Sequence, residues 1–229
     1  MHTHSNPGTR AEDLKHYLGF EILEGPSIQN GNVYNVHEDA KQWLRLSEDS
    51  LHPWVVCLDE IGPASKGVLP DKYSSMHDTV RREALWGNLM AGGAGVEWYF
   101  GYHYPHNDLN CEDWRSRDNL WDITLYALEF FQNHLPFHEM QNMDNIITAD
   151  NAYCLGKEGE IYAVYLKQGG TTNIQLPAGN YNISWYNPRE GGNLIVDQTL
   201  KGTGSSPVST GEPPEEQGED WICLIENQQ

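Results

Sequence analysis

Apolar and polar positions follow two different rhythms along this chain, and the change falls near residue 143. Before it, helical and strand-like periods take turns. Residues 11–19 carry a short helical pattern and residues 25–29 a short strand. Residues 37–46 repeat at helical spacing, with Val36, Ala40, Trp43 and Leu44 on one side. Residues 54–58 (Trp-Val-Val-Cys-Leu) are continuously apolar, as a strand covered by helices on both faces would be. After a loop over 62–73, residues 77–90 predict a strong helix. Asp78 is its cap, and Val80, Ala84, Leu85 and Leu89 form its apolar face. Gly92-Gly93-Ala94-Gly95 stops that helix, and residues 96–101 read as the next strand. A polar loop over 102–117 leads to a helix over 120–133. Strand–helix–strand–helix order with short connections predicts parallel βα units.

From residue 145 onward only short strand patterns remain, over 146–149, 152–155, 161–166, 172–176, 181–186, 194–200 and 221–225. Turn signals such as Gln168-Gly169-Gly170 and Asn187-Pro188-Arg189-Glu190-Gly191-Gly192 separate them, a spacing that predicts an antiparallel β-sandwich. Residues 202–220, rich in Gly, Ser, Pro and Glu, read as a mobile loop or an extended excursion. The expected division is residues 1–142 for the α/β part and 143–229 for the sandwich.

The α/β part holds too few strands for the eight of a closed barrel, which takes about 250 residues. An open half-sheet would expose apolar faces and an unpaired edge. The pattern fits either an unusually small open sheet or the C-terminal piece of a (β/α)8 barrel, and the second is the better fit.

Charge narrows the partners. With 14 basic against 33 acidic residues the formal net charge is −19, so phosphate backbones and anionic membrane surfaces are repelled. No apolar run approaches the ~20 residues of a membrane span, and residues 1–7 lack the pattern of a signal peptide. The four cysteines (Cys57, Cys111, Cys154, Cys223) are too sparse for a disulfide framework, and Cys57 reads as core. Eight Trp and twelve Tyr, with abundant Asn and Gly, suit sugar rings, which present C–H faces and polar edges.

Candidate chemistry sits at the strand ends. Asp59 and Glu60 close the apolar run, where α/β folds place their reactive groups. Adjacent strand residues point to opposite faces, so a regular strand lets only one of the two face the mouth. Of Trp98 and Tyr99, one is a candidate sugar-stacking platform while the other packs against helices. Glu97 lies within an apolar strand and would need pairing, with Arg81 or Arg82, or a ligand. Tyr102, His103 and Tyr104 open the following loop, with His103 a candidate hydrogen-bonding group. His2 and His4 have metal-like H-x-H spacing but no third ligand, so a polar lining is the expectation and no metal or other cofactor is assigned. The oxygen-rich run 107–113 lacks the order of an EF-hand and reads as a solvated loop.

The run 54–62, Arg82 and the stretch 85–102 (Leu-Trp-Gly-Asn-Leu-Met-Ala-Gly-Gly-Ala-Gly-Val-Glu-Trp-Tyr-Phe-Gly-Tyr) resemble a family of bacterial glycoside hydrolases. That family combines a (β/α)8 (TIM) barrel with a C-terminal β-sandwich. Residues 159–166 and 185–189 resemble its sandwich, a module named as collagen-binding. The resemblance covers nearly the whole chain. It implies that 54–58 and 96–100 correspond to the seventh and eighth barrel strands and that Glu60 holds the nucleophile-like position. His2-Thr3-His4 would fall at the end of an earlier strand, with His4 among the substrate-binding groups beside Asp59, Trp98, Tyr99, Tyr102 and His103. The acid/base carboxylate of the fourth strand would lie upstream of Met1. Glycosidases work with two carboxyl groups, ~5–5.5 Å apart in retaining enzymes. Loss of general acid catalysis alone costs roughly 10²–10⁴-fold, so the isolated chain is expected to hydrolyse no glycoside at a useful rate. The implied partners are a carbohydrate or polysaccharide or a collagen-like matrix, in an extracellular or periplasmic setting. The alternatives are a non-catalytic polysaccharide- or collagen-binding protein and an inactive truncated product.

Overall fold

The computed structural model describes residues 9–110 and 112–228; His2, His4 and Cys111 lie outside them. The chain divides into two compact units, Met1–Asp122 and Ile123–Gln229.

The first unit is built on a parallel sheet. Helix α1 (Arg10–Lys15) precedes strand β1 (Ser27–Asn30), helix α2 (Val36–Asp49) and strand β2 (Cys57–Ile61). A π-helical turn, Val80–Leu85, runs into α3 (Trp86–Met90), followed by the short strand β3 (Gly95–Val96) and helix α4 (Asp118–His134). The strands lie in the order β1-β2-β3, all parallel, an open three-stranded sheet among the described residues. Its helix-facing side buries Ile28, Trp54 and Val56 against Ala40 and Trp43, and Leu58 and Ile61 against Val36, Ala84 and Leu120. Burying one such side chain as large as Leu58 contributes about 1.5–3 kcal/mol.

The apolar run 54–58 is not buried on both faces as its composition predicts. Trp54 and Val56 are buried while Val55 between them is 55% exposed, and Cys57 is half-buried rather than core. One face of the strand meets helices and the other is bare. The hydrogen-bonded ladder also starts later than expected, at Ser27 opposite Cys57, because Trp54 and Val55 give their amides to Ser47 Oγ and Glu24 O.

Three further expectations in this unit change. The helix predicted over 77–90 cannot include His77, whose φ is +46°, and its first part is π-helical. Asp78 does not cap it; its carboxylate takes the buried Arg81 guanidinium at 2.9 Å. The strand predicted over 96–101 ends at Val96, because Tyr99 and Phe100 bond loop groups instead of a strand. Glu97 is exposed, so its carboxylate escapes the desolvation that burial would impose.

The second unit begins inside α4. Its six-stranded antiparallel sheet joins β4 (Gln141–Asn142), β5 (Ala152–Lys157), β6 (Ile161–Leu166), β8 (Gly179–Tyr186), β9 (Ile195–Gly202) and β11 (Trp221–Asn227). The order across it is β4-β5-β6-β11-β8-β9. One face carries Cys154, Val164, Cys223 and Trp185, which the register sets in a row across four strands, within a cluster that includes Tyr162, Tyr181 and Trp221. A two-stranded sheet, β7 (Asn173–Ile174) with β10 (Val208–Ser209), lays Ile174 and Val208 on that cluster. The other face is covered by the end of α4: Phe130 stacks 4.8 Å from Tyr186, whose hydroxyl donates to Tyr126 O at 2.7 Å.

Here one expectation is corrected and another narrowed. Residues 146–149 form a 3₁₀ turn (Asp144–Ile146) and a single bridge at Ile147 rather than a strand. Of the two readings of 202–220, the extended excursion holds and the mobile loop does not. The segment contributes β10, buries Thr210 against the Thr172 backbone, and is held by the Arg189–Glu216 ion pair at 2.6 Å. Asp220 at its end is fully buried and accepts the Tyr165 hydroxyl at 2.7 Å. Cys154 and Cys223 each flank Val164; two strand spacings, roughly 9.5 Å, separate them, beyond the ~7 Å limit for a disulfide.

Candidate functional site

The carboxyl ends of the parallel strands are set by a bulge. Ile28 pairs with Leu58, but the next pair is Gln29 with Glu60, so Asp59 is the extra residue on β2. The burial confirms this. Leu58 and Ile61 are three apart, which in a regular strand places them on opposite faces, yet both pack in one cluster. The bulge therefore returns Glu60 to the bare face, opposite Gln29, with Cys57 on the same side. Both Asp59 and Glu60 are half-exposed. Asp59 lies close enough to Cys57 that, after burial, its charge raises the thiol pKa.

Beyond β2 the chain turns at Gly62, where a Cβ would come within 2.6 Å of Gly31 Cα; the strand ends approach too closely for any other residue. The Gly62–Pro63 peptide is cis. The loop that follows is stitched to the one after β3. Val68 N donates to Tyr99 O at 2.7 Å, and Tyr102 N and His103 N both donate to Ser65 O, at 3.1 and 2.9 Å. The Tyr99 hydroxyl donates to Ala64 O at 2.7 Å. Gly67, at φ +52°, lies so near Tyr99 that a Cβ would fall 2.2 Å from its carbonyl oxygen.

Alternation along 96–99 divides the aromatic pair. Val96 and Trp98 pack on the Leu58 cluster, which puts Trp98 on the helix side. Tyr99 stands on the Glu60 side. Its phenol pKa is raised, first by burial and then by the charges of Asp108 and Glu60, with Tyr102 also in reach. Tyr102 is 58% exposed and His103 is exposed beside it.

The polar loop is more organised than its composition implies. Asn107 is buried; its amide donates to Tyr102 O and Tyr104 O and its oxygen accepts from Leu109 N. Asp108 accepts Phe100 N at 2.7 Å. Arg117, fully buried, donates to Val68 O at 2.9 Å and His106 O at 2.8 Å and stacks 4.1 Å over the Phe100 ring. One guanidinium thereby ties both loops to the start of α4. On the far side Asp71 accepts Asn119 N, at the first turn of α4, and pairs with buried His77 Nε2 at 2.7 Å. Burial lowers the His77 pKa, with Asp71 opposing.

Tyr73 and Arg117 carry no signal in the sequence that marks them for the two loops beyond the strand ends. Arg117 sits just before a helix, and Tyr73 in a loop without a motif.

Comparison with known proteins agrees with this arrangement at the level of fold. A family described as "Putative collagen-binding domain of a collagenase" matches residues 140–226. Two similar solved structures are a glycoside hydrolase family 5 protein from Bacteroides vulgatus and another described as a glycoside hydrolase. The first has a TM-score of 0.57 and 17% identity over 82% of this chain and 45% of that one. The second has a TM-score of 0.52 and 15% identity over 83% of this chain and 46% of that one. This chain spans less than half the length of either. No curated protein matches it. The fold is glycoside hydrolase-like, a mix of helices and sheets, with a second unit similar to a collagen-binding domain.

Proposed function

We propose that this chain is the C-terminal part of a (β/α)8 glycoside hydrolase-like barrel followed by an accessory β-sandwich, with Glu60 in the nucleophile position. The observation that carries the reading is the bulge at Asp59, which turns Glu60 onto the bare side of the central parallel strand beside Tyr99. The exposed Val55 supports it, since the inner face of a barrel strand is covered by the other strands of the barrel. In this reading β2 and β3 stand for the seventh and eighth strands, and the boundary between barrel and sandwich falls near residue 142. Asp59 supports the strand end; Tyr99, Tyr102 and His103 bind substrate, and Trp98 backs the wall. Asp108 holds the Tyr99–Phe100 segment in place. The bond attacked is glycosidic, and the acid partner comes from a fourth strand. The setting is extracellular or periplasmic, and no helix among the described residues is long and apolar enough to cross a membrane.

An activated glycosyl fluoride carrying fluorine at C2 tests the assignment, because its leaving group needs no acid. The expected result is a covalent adduct on Glu60, located by peptide mass spectrometry and absent in Glu60→Gln. Ordinary aryl glycosides should show no useful turnover by the chain alone. Labelling at another residue, or labelling that persists in the variant, rejects Glu60.

A second reading is favoured by the family match over 140–226: a binding protein in which the second unit recognises polysaccharide or a collagen-like matrix. Pull-down of the chain on insoluble polysaccharide and on collagen separates the two ligands.

A further inference from the structure

We propose that residues 71–77 form an acid-released clasp: neutral His77 ties the loop leaving β2 to the first turn of α4, and protonated His77 lets it go. The tie runs through one carboxylate. Asp71 meets His77 Nε2 through Oδ1 at 2.7 Å and accepts Asn119 N through Oδ2 at 2.9 Å. Two more bonds close the same contact. Asp71 N donates to Ser116 O at 2.9 Å, and Asn119 Nδ2 donates to Ser75 O at 3.0 Å.

The carboxylate brings no proton, so the 2.7 Å contact places the imidazole proton on Nε2 and leaves Nδ1 as the atom that titrates. Nδ1 is buried and has no hydrogen-bond partner. Inside the closed clasp a proton there would make a buried charged donor with no acceptor, which is the costly way to bury a polar group. The charges facing the ring are Asp71 on its own loop, Arg81 on the π-helical turn and Arg117 in the turn before α4. Both arginines are fully buried, while Asp78, which takes the Arg81 guanidinium, is 58% exposed. A cation on His77 would therefore be opposed by two neighbours and favoured by one. Burial lowers the His77 pKa; Asp71 opposes it, and Arg117 and Arg81 add to it.

The backbone is poised for release. His77 has φ +46°, a left-handed conformation that a residue with a Cβ keeps only while its surroundings impose it. Lys72, Tyr73, Ser75 and Met76 are exposed, so the segment can swing away without uncovering a core. The open form takes up the proton that the closed form resists. The clasp is thus fully held above the ordinary imidazole value of 6.5 and weakens below it.

Amide hydrogen exchange of the whole chain, corrected for the intrinsic effect of pH, tests this at Tyr73, His77 and Asn119. Protection there should fall about threefold to tenfold from pH 7.5 to 5.5, the upper limit being that of an ordinary imidazole in the open form. At both pH values it should stay below that of the ladder amides of β2, the mark of an opening that leaves the sheet intact. His77→Gln, which keeps a donor toward Asp71 but cannot titrate, should show equal clasp protection at both pH values. Should that variant misfold, nitrogen-15 shifts of the His77 ring in the natural chain decide, with Nδ1 unprotonated at pH 6 wherever the Asn119 amide is protected. Level clasp protection across the range, a fall that persists in His77→Gln, or clasp amides as protected as those of β2 overturns the proposal. So does a proton on Nδ1 at pH 6 with the Asn119 amide still protected.

Discussion

The two sheets of this protein handle their faces in opposite ways. The six-stranded antiparallel sheet is covered on both sides, by the small sheet with Ile174 and Val208 on one and by Phe130 of α4 on the other. The three-stranded parallel sheet is covered on one side only, with Val55 bare beside buried Trp54 and Val56. The antiparallel unit spends its residues on a closed core. The parallel unit instead spends buried polar groups, Arg117, His77 and Asn107 among them, on fixing loops around the strand ends. A closed core serves stability, whereas the buried polar groups of the parallel unit hold its loops around the strand ends.

Substitutions can sharpen that contrast, beginning with the closed core. Trp185→Ala removes a fully buried indole that also donates to Asp197, and should cost about 3–5 kcal/mol in denaturant unfolding. Arg117→Met strips two charge-assisted bonds from loop carbonyls in the parallel unit. It should cost about 2–3 kcal/mol and raise hydrogen exchange at the Val68, Tyr102 and His103 amides. A core-type cost without faster loop exchange would show that Arg117 does not fix the two loops.

Neighbouring valines give the finer test. Val56→Ala should cost about 2 kcal/mol and Val55→Ser less than about 0.5 kcal/mol. Equal losses would mean that the second face is covered after all.

The smallest effect expected is one of pH. The unfolded chain takes up a proton on His77 near the ordinary value of 6.5, while the folded one resists it. The unfolded state thus binds more protons as pH falls, and the His77 contribution is present above that value and lost below it. Thermal melting should decline from pH 7.5 to 5.5, and less steeply in His77→Gln; parallel curves would reject the assignment.

Element types were largely legible in the sequence, because helical and alternating patterns are local. The strand 161–166 and the turns of the second unit are read directly from Ile-Tyr-Ala-Val-Tyr-Leu and its flanking glycines. What escaped depends on partners. A continuous apolar run cannot say which face is bare, nor can Cys-Leu-Asp-Glu-Ile reveal the bulge that decides which carboxylate lies opposite Gln29. The π-helical turn adds a residue that periodicity alone does not expose. Anchoring of 202–220 rests on Thr210 and Glu216, polar residues whose composition argues for solvent until Thr172 and Arg189 are placed beside them.

The row in which Val164 keeps Cys154 and Cys223 apart has a practical corollary. Oxidation cannot cross-link that pair without tearing the sheet, so the antiparallel unit should mature equally well in an export compartment or a glutathione-buffered one. A producer of recombinant material need neither add an isomerase for that unit nor fear a mispaired product from those two sulfurs.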